Sequence, residues 1–146
     1  MVITLNKDKH ILTSDITNTE YGEIASGYYD IKKSKFYSYI FNVTSSEEVE
    51  EYISKIKKSH KKARHVVYAY EYYMDNAKYS KFSNDNEPQG TGVNSVISTM
   101  EHENVTNYLV IIVRYFGGTL LGAGPLLRSY LTSFKEAYAK CNKEKI

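Results

Sequence analysis

Apolar positions recur along the chain with more than one period, and each change of period marks a change of element. In EIASGYYDIKKSKFYSYIFNV two β-prone stretches, roughly 23–30 and 36–43, flank the polar IKKSK, which predicts a hairpin. In TSSEEVEEYISKIKKSHKK the residues Val49, Tyr52, Ile53 and Ile56 fall on one face of a helix. Ser45 is its expected N-cap, and Glu48 three residues on completes a capping box. HVVYAYEYY alternates, with Tyr68, Tyr70 and Tyr72 on one side and Val67, Ala69 and Glu71 on the other. A turn at MDNAK and a short strand YSKFS come next. Val93, Val96, Ile97 and Met100 then set out a second helix that ends near HEN.

NYLVIIVRYF contains an unbroken apolar run from Tyr108 to Val113, which predicts a central strand covered on both faces. Leu127, Tyr130, Leu131, Phe134 and Tyr138 give a final amphipathic helix, with Pro125 suited to its first turn. The expected order is therefore ββαββαβα: an α+β fold with a single mixed or antiparallel sheet and helices packed on it, in a split-βαβ layout. Residues 1–20 carry no sustained period and are expected to form an arm or edge extension, 21–141 the domain, and 142–146 a tail.

Composition narrows the function. A chain of 146 residues with 42% hydrophobic and 25% charged residues suits one globular domain. No stretch approaches the ~20 apolar residues of a membrane span, and the N-terminus lacks an apolar h-region. With the lone Cys141, this leads to the expectation of a reducing, cytoplasmic setting and no membrane partner. A net charge of +2 does not force nucleic-acid binding, so any such case rests on local clusters. The basic run Lys55 to Arg64 closes a helix that opens with Glu47, Glu48, Glu50 and Glu51, so the macrodipole accounts for it before a ligand does. The tyrosine row likewise reads first as a sheet face and second as a stacking platform or protein-contact face.

Two loops carry the remaining signal. RYFGGTLLGAGPLLRSY holds four of the chain's eight glycines, at 117, 118, 122 and 124, between Arg114 and Arg128. Glycines there serve either tight strand-to-helix packing or the approach of an anion to exposed amides. The spacing is neither G-x-G-x-x-G nor a P-loop, which disfavours a nucleotide cofactor, and no other cofactor motif is recognisable. An arginine in this setting needs a partner, and Glu87 in NDNEPQGTG is a plausible one. Asp85 fits a turn, or with Glu87 one wall of a site whose other wall is Arg114 and Arg128.

One reading is a binding module in which Arg114, the glycine loop, Arg128, Glu87 and Thr91, with nearby Lys61, Lys62, Arg64 and His65, contact RNA, a ribosome-associated protein or a phosphate-like anion. Another is an enzyme on an anionic small molecule, with Glu87 as acid or base, Arg114 and Arg128 as clamp, and Thr91 or loop amides orienting it. No nucleophile of recognisable context accompanies it. His10, His60, His65 and His102 lack metal-ligand spacing, and His65 fits a sheet end better than a metal site.

EPQGTG, together with NYLVIIVRYFGGTLLGAGPLLRSY, whose RYFGG lies some 25 residues on, closely resembles the IMPACT/YigZ family, and the upstream KKSKF resembles its start. The likeness covers about residues 22–140, and LGAGPLLRSY is closer to the bacterial form. By motif position Glu87, Pro88, Gly90, Thr91, Arg114, Gly117, Gly118, Gly122, Gly124 and Arg128 match. Pro125 stands where the family usually has a second glycine, Asn86 where it commonly has glycine, and Asn84 where it often has aspartate. The resemblance implies a fold like the second domain of a small-subunit ribosomal protein and the related domain of elongation factor G. It also implies a role in regulating translation. Eukaryotic members carry an N-terminal RWD domain that competes for a kinase activator, and bacterial members a small ferredoxin-like C-terminal domain. The residues flanking the match resemble neither, so the expectation carried over is translation regulation without that competition.

Overall fold

A computed structural model describes residues 8–146. Along the chain lie β1 (His10–Thr13), β2 (Ala25–Ile31), β3 (Ser34–Asn42), α1 (Ser46–Ser59), β4 (His65–Met74) and β5 (Ala77–Ser83). They are followed by α2 (Asn94–His102), β6 (Tyr108–Tyr115), α3 (Ala123–Tyr138) and β7 (Asn142–Lys145). The uniformly apolar β6 is buried from Tyr108 to Arg114 and forms the centre of a five-stranded sheet, β2-β3-β6-β4-β5. Every neighbouring pair in it is antiparallel, so the architecture is α+β with helices packed on an antiparallel sheet.

Two apolar clusters explain why β6 has no polar face. On one side Val110 and Ile112 meet Met100 of α2 and Leu126, Tyr130 and Phe134 of α3. On the other, Leu109, Ile111 and Val113 meet Val49 and Ile56 of α1. Burying each such side chain contributes about 1.5–3 kcal/mol. The strand is thereby fixed, and Arg114 at its end is fixed with it.

Local sequence accounts for the elements around it. Ser45 Oγ accepts the Glu48 N–H at 3.2 Å, and Glu48 Oε1 reaches back to the N–H of Thr44 at 2.9 Å, one residue beyond the usual capping-box partner. The β2–β3 hairpin is tighter than predicted: only Lys32 and Lys33 turn the chain, at φ 48° and 67°, so most of IKKSK belongs to the strands. Asn and Gly usually fill such turns, and holding two lysines left-handed costs about 1–2 kcal/mol each.

The predicted order omits two strands. β1 and β7 pair antiparallel as a separate two-stranded sheet in the stretches expected to be arm and tail, and Leu12 is buried in the α2–α3 core. Asn142–Lys145 is polar and exposed at every position, so its pairing rests on backbone hydrogen bonds, which leave no period to read. Residues 1–7 of the expected arm lie outside the described residues.

Candidate functional site

The NDNEPQGTG turn delivers Glu87 into the interior. Asp85 and Asn86 adopt φ 48° and 61°, and the Glu87 N–H donates to Asn84 O at 2.9 Å. This is a primed turn, which Asn and Asp tolerate better than other side chains. Register on the sheet sets Arg114 between Phe36 of β3 and His65 of β4. Arg114 Nη1 donates to both Glu87 oxygens, at 2.8 and 2.9 Å, and the Tyr130 hydroxyl of α3 donates to Glu87 Oε2. His65 Nε2 stands 3.3 Å from Glu87 Oε1, and its Nδ1 stands 3.3 Å from Asp85 Oδ2. Asp85 also accepts the Val66 N–H at 3.1 Å, so it serves the turn and the cluster together.

The Glu87–Arg114 pair at its centre is closed, while His65 and Asp85 reach its edge. The Glu87 side chain is 1% exposed and that of Arg114 7%. Burial first, then the Glu87 charge, holds the Tyr130 hydroxyl far above its ordinary range, so it remains a neutral donor. Both Glu87 oxygens accept from buried donors, Oε1 from Arg114 and Oε2 from Arg114 and Tyr130, which are strong charge-assisted contacts. The arrangement ties the turn to β4, β6 and α3, and Glu87 itself is not open to solvent.

Thr91 is likewise a turn residue: its hydroxyl and its N–H both turn back to Pro88 O, at 2.6 and 3.1 Å. Nearby, Asn84 Oδ1 accepts the Val93 N–H at 2.8 Å at the start of α2, so the asparagine that departs from the family motif is put to use.

The glycine loop divides into packing and display. A Cβ on Gly117 would lie 2.6 Å from Lys32 O and closer still to the backbone of Lys33 and Ser34, so the loop is pressed onto the β2–β3 turn. The Gly117 N–H donates to Ser34 Oγ at 3.1 Å. Gly118, at φ 90°, meets open space and supplies conformation rather than closeness. Gly122 is the N-cap of α3 without a side-chain cap bond, and the Arg128 guanidinium lies over Gly124, with Nη1 3.3 Å from the position of a Cβ there. Arg128 sits in the second turn of α3.

What the loop displays is Phe116, 36% exposed, and Leu120, 81% exposed. The Arg64 guanidinium stacks 4.7 Å from the Phe116 ring centroid, and the Arg64 N–H donates to Arg114 O at 2.8 Å. Arg128 is exposed and makes no ion pair among the described residues. Between Ile31, Lys32, Leu120, Pro125 and Arg128 runs a groove of about 190 Å³.

Glu87, Arg114, His65 and Asp85 therefore come together, while Arg64, Arg128 and the loop tip face outward. Sequence reasoning took Tyr130 only as part of an apolar stripe; a tyrosine buried there needs a hydroxyl partner, which was the available signal. It also passed over Ser34, Phe116, Leu120 and Lys32. His60 is held between two hydroxyls, Tyr39 at 2.9 Å and Tyr115 at 2.6 Å, and no metal-capable group of three forms among the described residues. No described helix is long and apolar enough to cross a membrane.

Residues 32–138 match the family profile described as the Impact N-terminal domain. The chain belongs to the IMPACT family. It is 36% identical to IMPACT family member YvyE of Bacillus subtilis, over 73% of this chain and 48% of that protein. The chain thus spans about half the length of that IMPACT relative. Among solved structures, a hypothetical protein aligns with TM-score 0.75 at 24% identity, over 93% of this chain and 63% of the other. The two-domain translational regulator Yih1 aligns with TM-score 0.56 at 23% identity, over 86% and 50%. These two likenesses show that the fold is shared.

Proposed function

We propose that this chain is a translation-linked regulatory module that binds RNA or a ribosome-associated protein through the basic face around its glycine loop. The observation that carries the reading is the separation of roles within the family motif. Glu87 and Arg114 are consumed in a buried strut, whereas Phe116 and Leu120 of the glycine loop, Arg64 stacked on Phe116 and Arg128 of α3 stand exposed around it. A mixed apolar and cationic surface suits recognition of a large polyanion or its protein companion. An enzyme built on Glu87 is less well supported, because that side chain is 1% exposed. The description of Yih1 as a translational regulator supports the biological setting, which implies a cytoplasmic location.

The test is titration of ribosomal RNA fragments, and separately of intact ribosomes, at about 50 and 200 mM salt. Contacts to several phosphates weaken RNA binding by orders of magnitude across that range. Salt-insensitive binding to ribosomes alone selects the protein partner. No binding to either at low salt removes the proposal.

A further inference from the structure

On the opposite face of the sheet, α1 and the β4–β5 hairpin enclose a groove of about 600 Å³ that shares no lining residue with the groove beside Arg128. Its α1 wall is Val49 and Ile53, and β4 contributes the half-buried Tyr68 and Tyr70. The two rings are near-parallel, with planes 10° apart and centroids 6.4 Å apart, and Tyr70 and Tyr72 continue the ladder at 20° and 5.9 Å. The tyrosine row is thus not sealed by the helix but opens along one edge.

The rim is cationic from both sides. Lys57, Lys58 and Lys61 line it from the helix end, and Lys81 lines it from β5, against one acidic lining residue, Glu50. None of the four lysines forms an ion pair among the described residues. The helix dipole accounts for Lys57 and Lys58 in the last turn of α1. It does not account for Lys61, which lies past the helix, or for Lys81, which approaches from a strand. The charge of Lys81 is felt at the Tyr70 hydroxyl, where it opposes the upward push of burial.

We propose that this groove binds a short single-stranded RNA segment, with bases stacked on Tyr68 and Tyr70 and phosphates held by Lys57, Lys61 and Lys81. Aromatic faces aligned along a strand and a cationic rim are the two requirements of such binding, and the volume is in the range of small-molecule sites. An acidic peptide would answer the lysines but leave the ring ladder unused. The proposal is independent of the glycine-loop reading.

The experiment is fluorescence anisotropy of the full chain with a labelled oligouridylate of about 12 nucleotides, a length within single-strand site sizes. An abasic ribose-phosphate oligomer and a polyglutamate peptide of equal length serve as competing probes. Lys57→Glu/Lys61→Glu/Lys81→Glu should weaken RNA binding by more than about tenfold and reduce the salt slope by about 2. Tyr68→Leu/Tyr70→Leu should weaken RNA about tenfold and leave the abasic probe unchanged. Lys135→Glu, exposed on α3 and lining neither groove, should change neither. Crosslinking of 4-thiouridine RNA to wild type should map to Tyr68 or Tyr70, which keeps the test decisive if the tyrosine variant fails to fold. Abasic or polyglutamate probes binding as tightly as RNA, or crosslinks elsewhere, overturn the proposal.

Discussion

Replacing Glu87 with alanine removes the carboxylate on which Arg114, Tyr130 and His65 converge. Arg114 is then a buried cation without its counter-ion, and removing one partner of a buried pair costs about 3–5 kcal/mol. The orphaned Tyr130 hydroxyl has a desolvation cost of about 1–3 kcal/mol. The two losses share one site and do not simply add. A total of about 4 kcal/mol is expected, a large share of the ~5–15 kcal/mol that holds a domain together. The measurement is urea unfolding followed by far-UV circular dichroism at pH 7. At an m-value of about 2 kcal/mol/M the midpoint should fall by about 2 M with the slope unchanged. Glu87→Gln, which keeps the shape and one acceptor, should lose about half as much. Glu87→Ala/Arg114→Met should recover much of the loss, because no lone charge is left buried. A loss below about 1 kcal/mol for Glu87→Ala, or a double variant worse than the single, would show that the cluster is not the strut described and return Glu87 to the list of reactive groups.

Other outcomes follow from the same geometry. Gly117→Ala should destabilise by about 3 kcal/mol, since its Cβ meets backbone that cannot swing aside, whereas Gly118→Ala should lose only about 1–2 kcal/mol from left-handed strain; equal effects in thermal melts would contradict the close-packing assignment. Burial lowers the His60 pKa below its ordinary 6.5, so the folded state binds fewer protons than the unfolded one. Stability should therefore be full above pH 6.5 and decline as pH falls through the lowered folded value, and His60→Gln should flatten that decline in pH-dependent unfolding. A pH profile unchanged by the substitution would show that another group controls acid stability.

Much of the fold was legible because its strongest elements are strongly patterned. The unbroken apolar run of β6 announced a strand buried on both faces, and Ser45 with Glu48 announced the start of α1. β1 and β7 were not legible, since four-residue strands held by backbone bonds leave no side-chain period. The candidate site was half legible. Glycines and arginines marked the loops, and Glu87 stood out as a carboxylate that Arg114 required. The choice between strut and clamp depended on contacts across 27 and 43 residues, Glu87 to Arg114 and Glu87 to Tyr130, which no local pattern encodes. The same holds for Arg64 and Phe116, whose stacking follows from the register of β4 on β6.

That division of labour makes Arg64 and Arg128 the informative positions, because both are exposed and can be removed without opening the core, unlike Arg114. Sedimentation of purified ribosomes with wild type and with Arg64→Ala/Arg128→Ala at low salt, each protein first shown to melt at the same temperature, asks whether the glycine-loop face is the binding surface. Wild type should travel with the ribosomal fraction, or with isolated ribosomal RNA, and the variant should stay at the top of the gradient. Equal co-sedimentation of the two proteins, or none by wild type, would contradict the proposed role of that face.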